Sequence, residues 1–144
     1  MFSKACEYAI RATIYLAQQH AAGNRLSVGE IAGNIDAPPS FTAKILQQLN
    51  RGGIISSFKG PTGGFFLEPD QMGLSVWDIL KAMGEEERIT RCVMGLNQCS
   101  DSEPCPMHDQ YKALKQNLTG LFRCNSISEL AKDLNAKKAI LKNC

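Results

Sequence analysis

The chain has 144 residues, 44% of them apolar and 21% charged, with a formal net charge of +2 and six cysteines. This composition describes an ordinary globular chain of one compact domain, or a small domain with an appended arm. No apolar run approaches a membrane span and no charged-then-apolar leader with a cleavage site opens the sequence, so a cytoplasmic protein without a membrane partner is expected.

The weak basic excess lies entirely in the first half. Residues 1–68 hold six Lys/Arg against four Asp/Glu, and residues 69–144 hold ten of each. Residues 3–22 read as a helix, with Tyr8, Ala12, Tyr15 and Leu16 on one side and Gly23-Asn24 as its stop. Ser27-Val28-Gly29-Glu30 is a capping box that opens a second helix, with Leu26 and Ile31 at the staple positions around it. Pro38 and Pro39 interrupt that helix. A third starts near Pro39 or Ser40 and ends at Gly52-Gly53. Its apolar side is Phe41, Ile45, Leu46 and Leu49; its other side is Ser40, Ala43, Lys44, Gln47, Gln48 and Arg51. The second side is rich in amides and basic, without an acidic residue. An isolated amphipathic helix would show such a face to water, but amides and cations are also the side chains that read base edges and phosphates.

The residues that follow favour the second reading. The stretch 54–58 is apolar and β-branched, Phe65-Phe66-Leu67 is its expected partner strand, and Lys59-Gly60-Pro61-Thr62-Gly63-Gly64 is the turn between them. A short helix, a tight turn, an amphipathic helix and a hairpin with a cationic, glycine-rich tip make a winged helix-turn-helix. Lys59, Gly60, Thr62 and Gly63 then join the expected DNA contacts, the glycines allowing close backbone approach.

Another short helix is expected over 75–83, after which Glu85-Glu86-Glu87 leads to a loop of different character. Cys92, Cys99 and Cys105 stand in the pattern C-x6-C-x5-C, with His108 shortly beyond. Gly95, Pro104 and Pro106 break regular structure between them, so the thiols sit on a loop that can turn its side chains toward one point. In a reducing compartment such thiols point to metal or redox chemistry rather than disulfides. Three soft ligands and an imidazole suit an iron-sulfur cluster or a zinc ion. Cys6, Cys124 and Cys144 read as spare thiols. No Cys-x-x-Cys pair is present, and with only two histidines in the chain no acid–base constellation accompanies a nucleophile, so no enzyme is expected.

Beyond Pro106, the residues Met107, Tyr111, Leu114, Leu118 and Leu121 recur at spacings of 4, 3, 4 and 3, the seam of a long helix that packs against another helix. Few other apolar surfaces are left to cover it, so the expected cover is a second copy of the chain. Ser126-Ile127-Ser128-Glu129 is a further capping box, opening a last helix with Ile127, Leu130 and Leu134 inward.

Taken together, YAIR in the first helix, the capped second helix, SFTAKILQQL, the wing KGPTGGFFL and the cysteine loop resemble the Rrf-two family of bacterial transcription regulators, with its IscR, NsrR and RirA types. The resemblance implies a homodimer that binds a palindromic operator on double-stranded DNA, with an iron-sulfur cluster on each subunit beside the dimer helix. Cys92, Cys99 and Cys105 match the family's three cysteine ligands. The first spacing is one residue longer than in typical IscR-like members. His108 matches the histidine ligand of two-iron regulators. Glu7 matches the acidic ligand that four-iron, nitric-oxide-sensing relatives supply from the partner's first helix, so both remain candidates for the fourth position.

The expected architecture is mainly α with a small β-hairpin. Residues 1–84 form a winged helix-turn-helix DNA-binding domain, 85–106 a cysteine-rich cofactor loop, and 107–144 a dimerisation helix with a C-terminal helix. The expected function is operator binding controlled by the cluster. The alternative is a winged-helix DNA-binding protein with a structural zinc site or no cofactor.

Overall fold

The computed structural model describes residues 1–142; Cys144 lies outside them. Helix α1 (Lys4–Gln19) is capped by Ser3, whose hydroxyl accepts the Cys6 N–H at 3.2 Å, and passes into a single tight turn at His20–Ala22. Helix α2 (Val28–Ile35) starts at the Ser27–Glu30 capping box, with both reciprocal bonds made. Leu26 and Ile31, the staple pair, are both buried. Helix α3 (Pro39–Arg51) follows after a three-residue connection, giving the helix-turn-helix.

Two expectations shift here. Phe41 was placed on the apolar side of α3, but it is exposed and only meets the Tyr8 ring edge-on at 5.9 Å. Thr42 takes the inward position instead, its hydroxyl donating to the Pro38 carbonyl at 2.9 Å. The strand expected over 54–58 pairs only from Ser56, because Ile54 and Ile55 are both buried and consecutive inward residues cannot alternate across a sheet.

Strands β1 (Ser56–Phe58) and β2 (Gly64–Phe66) form an antiparallel hairpin in the register Ser56 with Phe66 and Phe58 with Gly64. Leu26 adds a bridge on the outer side of β2, exchanging two backbone bonds with Phe65 at 2.9 and 2.8 Å. The chain entering α2 therefore holds the hairpin against the helices.

Helix α4 (Val76–Ala82) starts at a Ser75–Asp78 capping box. The acidic run after it is structured rather than a plain lead-in. Glu85 is buried, accepts the Ser3 N–H at 3.2 Å and pairs with Arg88 at 2.6 Å, and a one-turn helix α5 (Glu87–Thr90) follows. Past the cysteine loop come α6 (His108–Cys124) and, after the Ser126–Glu129 box, α7 (Ile127–Asn135).

Two apolar clusters organise these elements. Leu16, Ile31, Ile35, Leu46, Leu49 and Ile55 form the centre of the first, which joins α1, α2, α3 and the root of the wing. Ile127 and Ala131 belong to it as well, so α7 returns to pack on α1. Each such aliphatic side chain contributes about 1.5–3 kcal/mol on burial. The second cluster is Cys6, Trp77, Leu80 and Ile89, against which Phe2, Leu118 and Phe122 pack. It seats α6 on α4 and α1. Helices α6 and α7 thus pack on two different cores.

Candidate nucleic-acid interface and metal centre

On α3, Ser40, Lys44, Gln47 and Arg51 are exposed on one side and Ala43 is half-buried beside them. Gln48 departs from this face. Its carboxamide donates to the Ala82 carbonyl at 3.2 Å, which turns it toward α4. The same contact is close on the backbone side, since a Cβ on Gly52 would lie 2.8 Å from the Ala82 methyl.

The wing tip is Lys59–Gly63, and the Gly63 N–H donates to the Gly60 carbonyl at 2.9 Å to close its turn. A Cβ at Gly63 would lie 2.0 Å from the Phe58 carbonyl oxygen, so no other residue fits there. Lys59, Gly60 and Thr62 are exposed around it. Arg25 is a cation that the sequence reading passed over. Its guanidinium lies 4.0 Å from the centre of the Phe58 ring and 5.5 Å from that of Phe66, on the outer face of the hairpin. Its position one residue before Leu26 gave no signal, because the Leu26–Phe65 bridge that puts it there is a long-range contact.

The cysteine loop presents its donors in two pairs, Cys92 with Cys105 and Cys99 with His108. Cys92 is buried, and the backbone N–H groups of Leu96 and Met94 hold its thiol below the ordinary range, with Cys105 and the Gly95 N–H adding to the effect. That cradle suits a thiolate, the form in which cysteine binds metal. Cys99 Sγ lies 3.6 Å from His108 Nδ1. His108 is 5% exposed, and its Nε2 is 2.7 Å from Asp101 Oδ1. A carboxylate on one ring nitrogen leaves the other free to ligate, the usual support for a metal-binding histidine. Lys112 reaches the same Asp101 oxygen at 2.6 Å, and Lys112 and His108 together hold that carboxyl below the usual carboxylate range. Lys115 Nζ lies 3.0 Å from Cys99 Sγ and donates to the Thr90 carbonyl at 2.9 Å.

Among the described residues no three of these groups converge on one point, so Cys92 with Cys105 and Cys99 with His108 remain separate pairs. Glu7 is not brought to the loop within the subunit; it pairs with Lys4 at 2.9 Å on its own helix. The donor types nonetheless fit a cluster or a soft metal, with three thiols on one loop, one in an amide cradle and one beside a supported imidazole. Asp101, Lys112 and Lys115 were not singled out from the sequence. Lys112 and Lys115 stand four and seven residues after His108, a helical stripe that the spacing alone does reveal.

Of the seam residues, Met107 just before α6 and Leu114 and Leu121 on it are 46%, 52% and 55% exposed. Tyr111 and Leu118 are partly covered, Tyr111 by its hydroxyl bond to the Ile89 carbonyl at 3.3 Å and Leu118 by the second cluster. No helix of the described residues is long and apolar enough to cross a membrane.

A family profile described as "Rrf2: Iron-dependent Transcriptional regulator" matches residues 2–133. A protein of Aquifex aeolicus (strain VF5), named an HTH-type transcriptional regulator, is 31% identical over 132 residues, covering 90% of each chain. The HTH-type transcriptional regulator IscR of Escherichia coli O1:K1 / APEC is 28% identical over 123 residues, which cover 85% of this chain and 75% of that one. Among solved structures, T. potens IscR superposes with a TM-score of 0.72 at 18% identity over 96% of this chain and 91% of its own. CymR, the global cysteine regulator of B. subtilis, does so with 0.71 at 19% identity over 92% and 96%.

Proposed function

The chain belongs to the Rrf2 family of transcriptional regulators, and from that premise we propose that it is a cytoplasmic homodimer whose binding to a palindromic operator is governed by an iron-sulfur cluster on the 85–106 loop. As in that family generally, it is a DNA-binding regulator of transcription and not an enzyme. The reading face is Ser40, Ala43, Lys44, Gln47 and Arg51 on α3 together with Lys59, Gly60, Thr62 and Gly63 on the wing. Gln48 supports that face from behind.

The observation that carries the control is a chain of contacts from the cysteines to α3. Cys92 follows α5 directly, and Cys99 is bonded to Lys115 of α6. Both helices pack on α4 through Ile89, Leu118, Trp77 and Leu80, and α4 meets α3 at the Gln48–Ala82 bond. Cys92, Cys99, Cys105 and His108 would hold the cluster, with Glu7 of the partner's first helix as the competing fourth ligand. A bound cluster would supply a centre sensitive to redox state, nitric oxide or iron supply. Ordering the loop on α5 and α6 then biases how the two reading heads are held, a two-state effect rather than a reaction.

Anaerobic purification followed by visible and electron-paramagnetic spectroscopy, with operator binding measured before and after cluster removal, tests this. A brown protein whose operator affinity changes on removal is expected. A colourless protein carrying stoichiometric zinc would replace the reading with a structural zinc site.

A further inference from the structure

Two lysines of α6 reach the cysteine loop, and their electrostatic situations differ. Lys112 meets a carboxylate, Asp101, at 2.6 Å, so its charge is locally balanced. Lys115 meets none: among the described residues its ammonium is bonded to the Thr90 carbonyl at 2.9 Å and to Cys99 Sγ at 3.0 Å. A cation fixed by a neutral backbone group keeps its charge for the sulfur beside it. The other supported sulfur, that of Cys92, is held by backbone amides, which are dipoles without net charge. Cys99 is therefore the thiol with an unbalanced cation seated directly against it.

We propose that Lys115 is a positioning residue for the metal centre: it anchors the Cys99 sulfur to α6 and Thr90 and sets a positive charge against that side of the site. This rests on the metal-centre reading above. A cluster held by three thiolates gains negative charge on reduction, and a nearby cation favours the more negative form. Hydrogen bonds to cluster sulfurs and net charge are the protein's means of setting potential. Lys115 thus raises the midpoint potential and slows loss of Cys99 as a ligand. Its bond to Thr90, next to the buried Ile89, also fixes Cys99 relative to the second core.

The test compares wild type with Lys115→Met, Lys115→Arg and Lys132→Met, the last an exposed lysine on α7, all reconstituted anaerobically with iron and sulfide. Expected are a lower midpoint potential and faster cluster loss to a chelator in Lys115→Met, recovery of most of the potential in Lys115→Arg, and no change in Lys132→Met. A role in fold stability alone would lower Tm without moving the potential. An unchanged potential in Lys115→Met overturns the proposal. Should wild type accept no cluster, cobalt(II) titration decides the matter separately, by the thiolate-to-cobalt absorption band. A loss of about 10-fold or more in cobalt affinity in Lys115→Met upholds the anchoring role while removing the iron-sulfur reading. Equal cobalt affinity, or no binding by wild type at all, overturns it.

Discussion

The Gln48 carboxamide donates to the Ala82 carbonyl at 3.2 Å, joining the last turn of the expected reading helix to the last turn of α4. That carbonyl lies at the end of its helix, where α-helical carbonyls lack intrahelical partners. Gln48 satisfies it from another element and so fixes the angle between α3 and α4. Gln47, the preceding residue, points outward. Two adjacent glutamines on one helix therefore take opposite tasks.

Substitution separates them. Gln47→Ala is expected to leave stability within about 0.5 kcal/mol and to weaken operator binding by roughly 1–3 kcal/mol with relaxed specificity, if it contacts a base. Gln48→Ala is expected to lose about 0.5–1.5 kcal/mol of stability and to reduce the difference in affinity between cluster-bound and cluster-free protein. Urea unfolding and fluorescence anisotropy with specific and scrambled duplexes read both quantities. Equal effects of the two substitutions would refute the division.

The wing offers a second contrast. Lys59→Ala and Lys44→Ala should weaken binding without altering the fold, and loss of a phosphate contact should flatten the logarithmic salt dependence by about one unit. Gly63→Ala should act through structure, because its methyl group would overlap the Phe58 carbonyl oxygen. Salt-dependent binding isotherms distinguish the two, since Gly63→Ala should weaken binding and broaden the wing's backbone amide resonances.

Local signals made much of this legible from the sequence alone. Ser27–Glu30 and Ser126–Glu129 announced two helix starts because a capping box is a bond between near neighbours. The glycines of the wing and the polar face of α3 were readable for the same reason. What the sequence left dark depends on long-range packing. Nothing in residues 24–26 announces that Leu26 will bridge Phe65 and carry Arg25 onto the wing. Ile127 was placed inward, but not against α1. Thr42 displaced Phe41 because residues 42, 45, 46 and 49 form the i, i+3, i+4, i+7 stripe of α3, a spacing the sequence carries but that the polarity of Thr42 masked. The cysteines were found by type and spacing, while Lys115 needed the folded loop to bring Cys99 to it.

Assembly can be tested with two leucines of α6 that differ in environment. Leu114 is half-exposed, whereas Leu118 packs against the cluster of Cys6, Trp77, Leu80 and Ile89. Leu114→Glu is expected to yield folded monomers by light scattering, with weakened binding to a palindromic site. Leu118→Glu should lower Tm as well, since it places a charge at the edge of the subunit's own core. A Leu114→Glu variant that stays dimeric would move the interface off this face.

Cys6 predicts a pH response. Burial pushes its thiol up to about 12, with the negative charge of Glu85 adding to the effect, from an ordinary value of 9.0. Ionisation therefore favours the unfolded chain, whose thiol loses its proton first. The stabilising preference is intact below about pH 9 and is lost progressively as pH rises toward 12, with a slope approaching about 1.4 kcal/mol per unit. Cys6→Ala should remove that part of the alkaline loss, measured as a shallower fall of urea stability above pH 9. In the native protein at neutral pH, Cys6 should also resist alkylation while exposed Cys124 reacts.

The fourth ligand is the sharpest remaining choice, and the geometry sets distinct expectations for its candidates. Cys92→Ala, Cys99→Ala and Cys105→Ala should each abolish cluster assembly, because two sulfurs on a loop hold iron poorly. His108 is buried beside Cys99, and Asp101 fixes its outer nitrogen at 2.7 Å, so its inner nitrogen is already turned toward a sulfur. His108→Ala is expected to retain a cluster with a shifted visible spectrum and faster loss to chelator. Asp101→Asn should produce a smaller shift in the same direction, because a carboxylate supporting the imidazole raises its basicity as a ligand. Glu7 pairs with Lys4 on the same helix, and among the described residues no hydrogen bond or ion pair joins it to the loop of its own subunit. A spectral shift in Glu7→Ala, absent from His108→Ala and Asp101→Asn, would instead place the ligand on the partner's α1 and link cluster loss directly to the helix beside the reading head. Lack of change in all three, with the cysteine variants colourless, would assign the fourth position to an exogenous ligand.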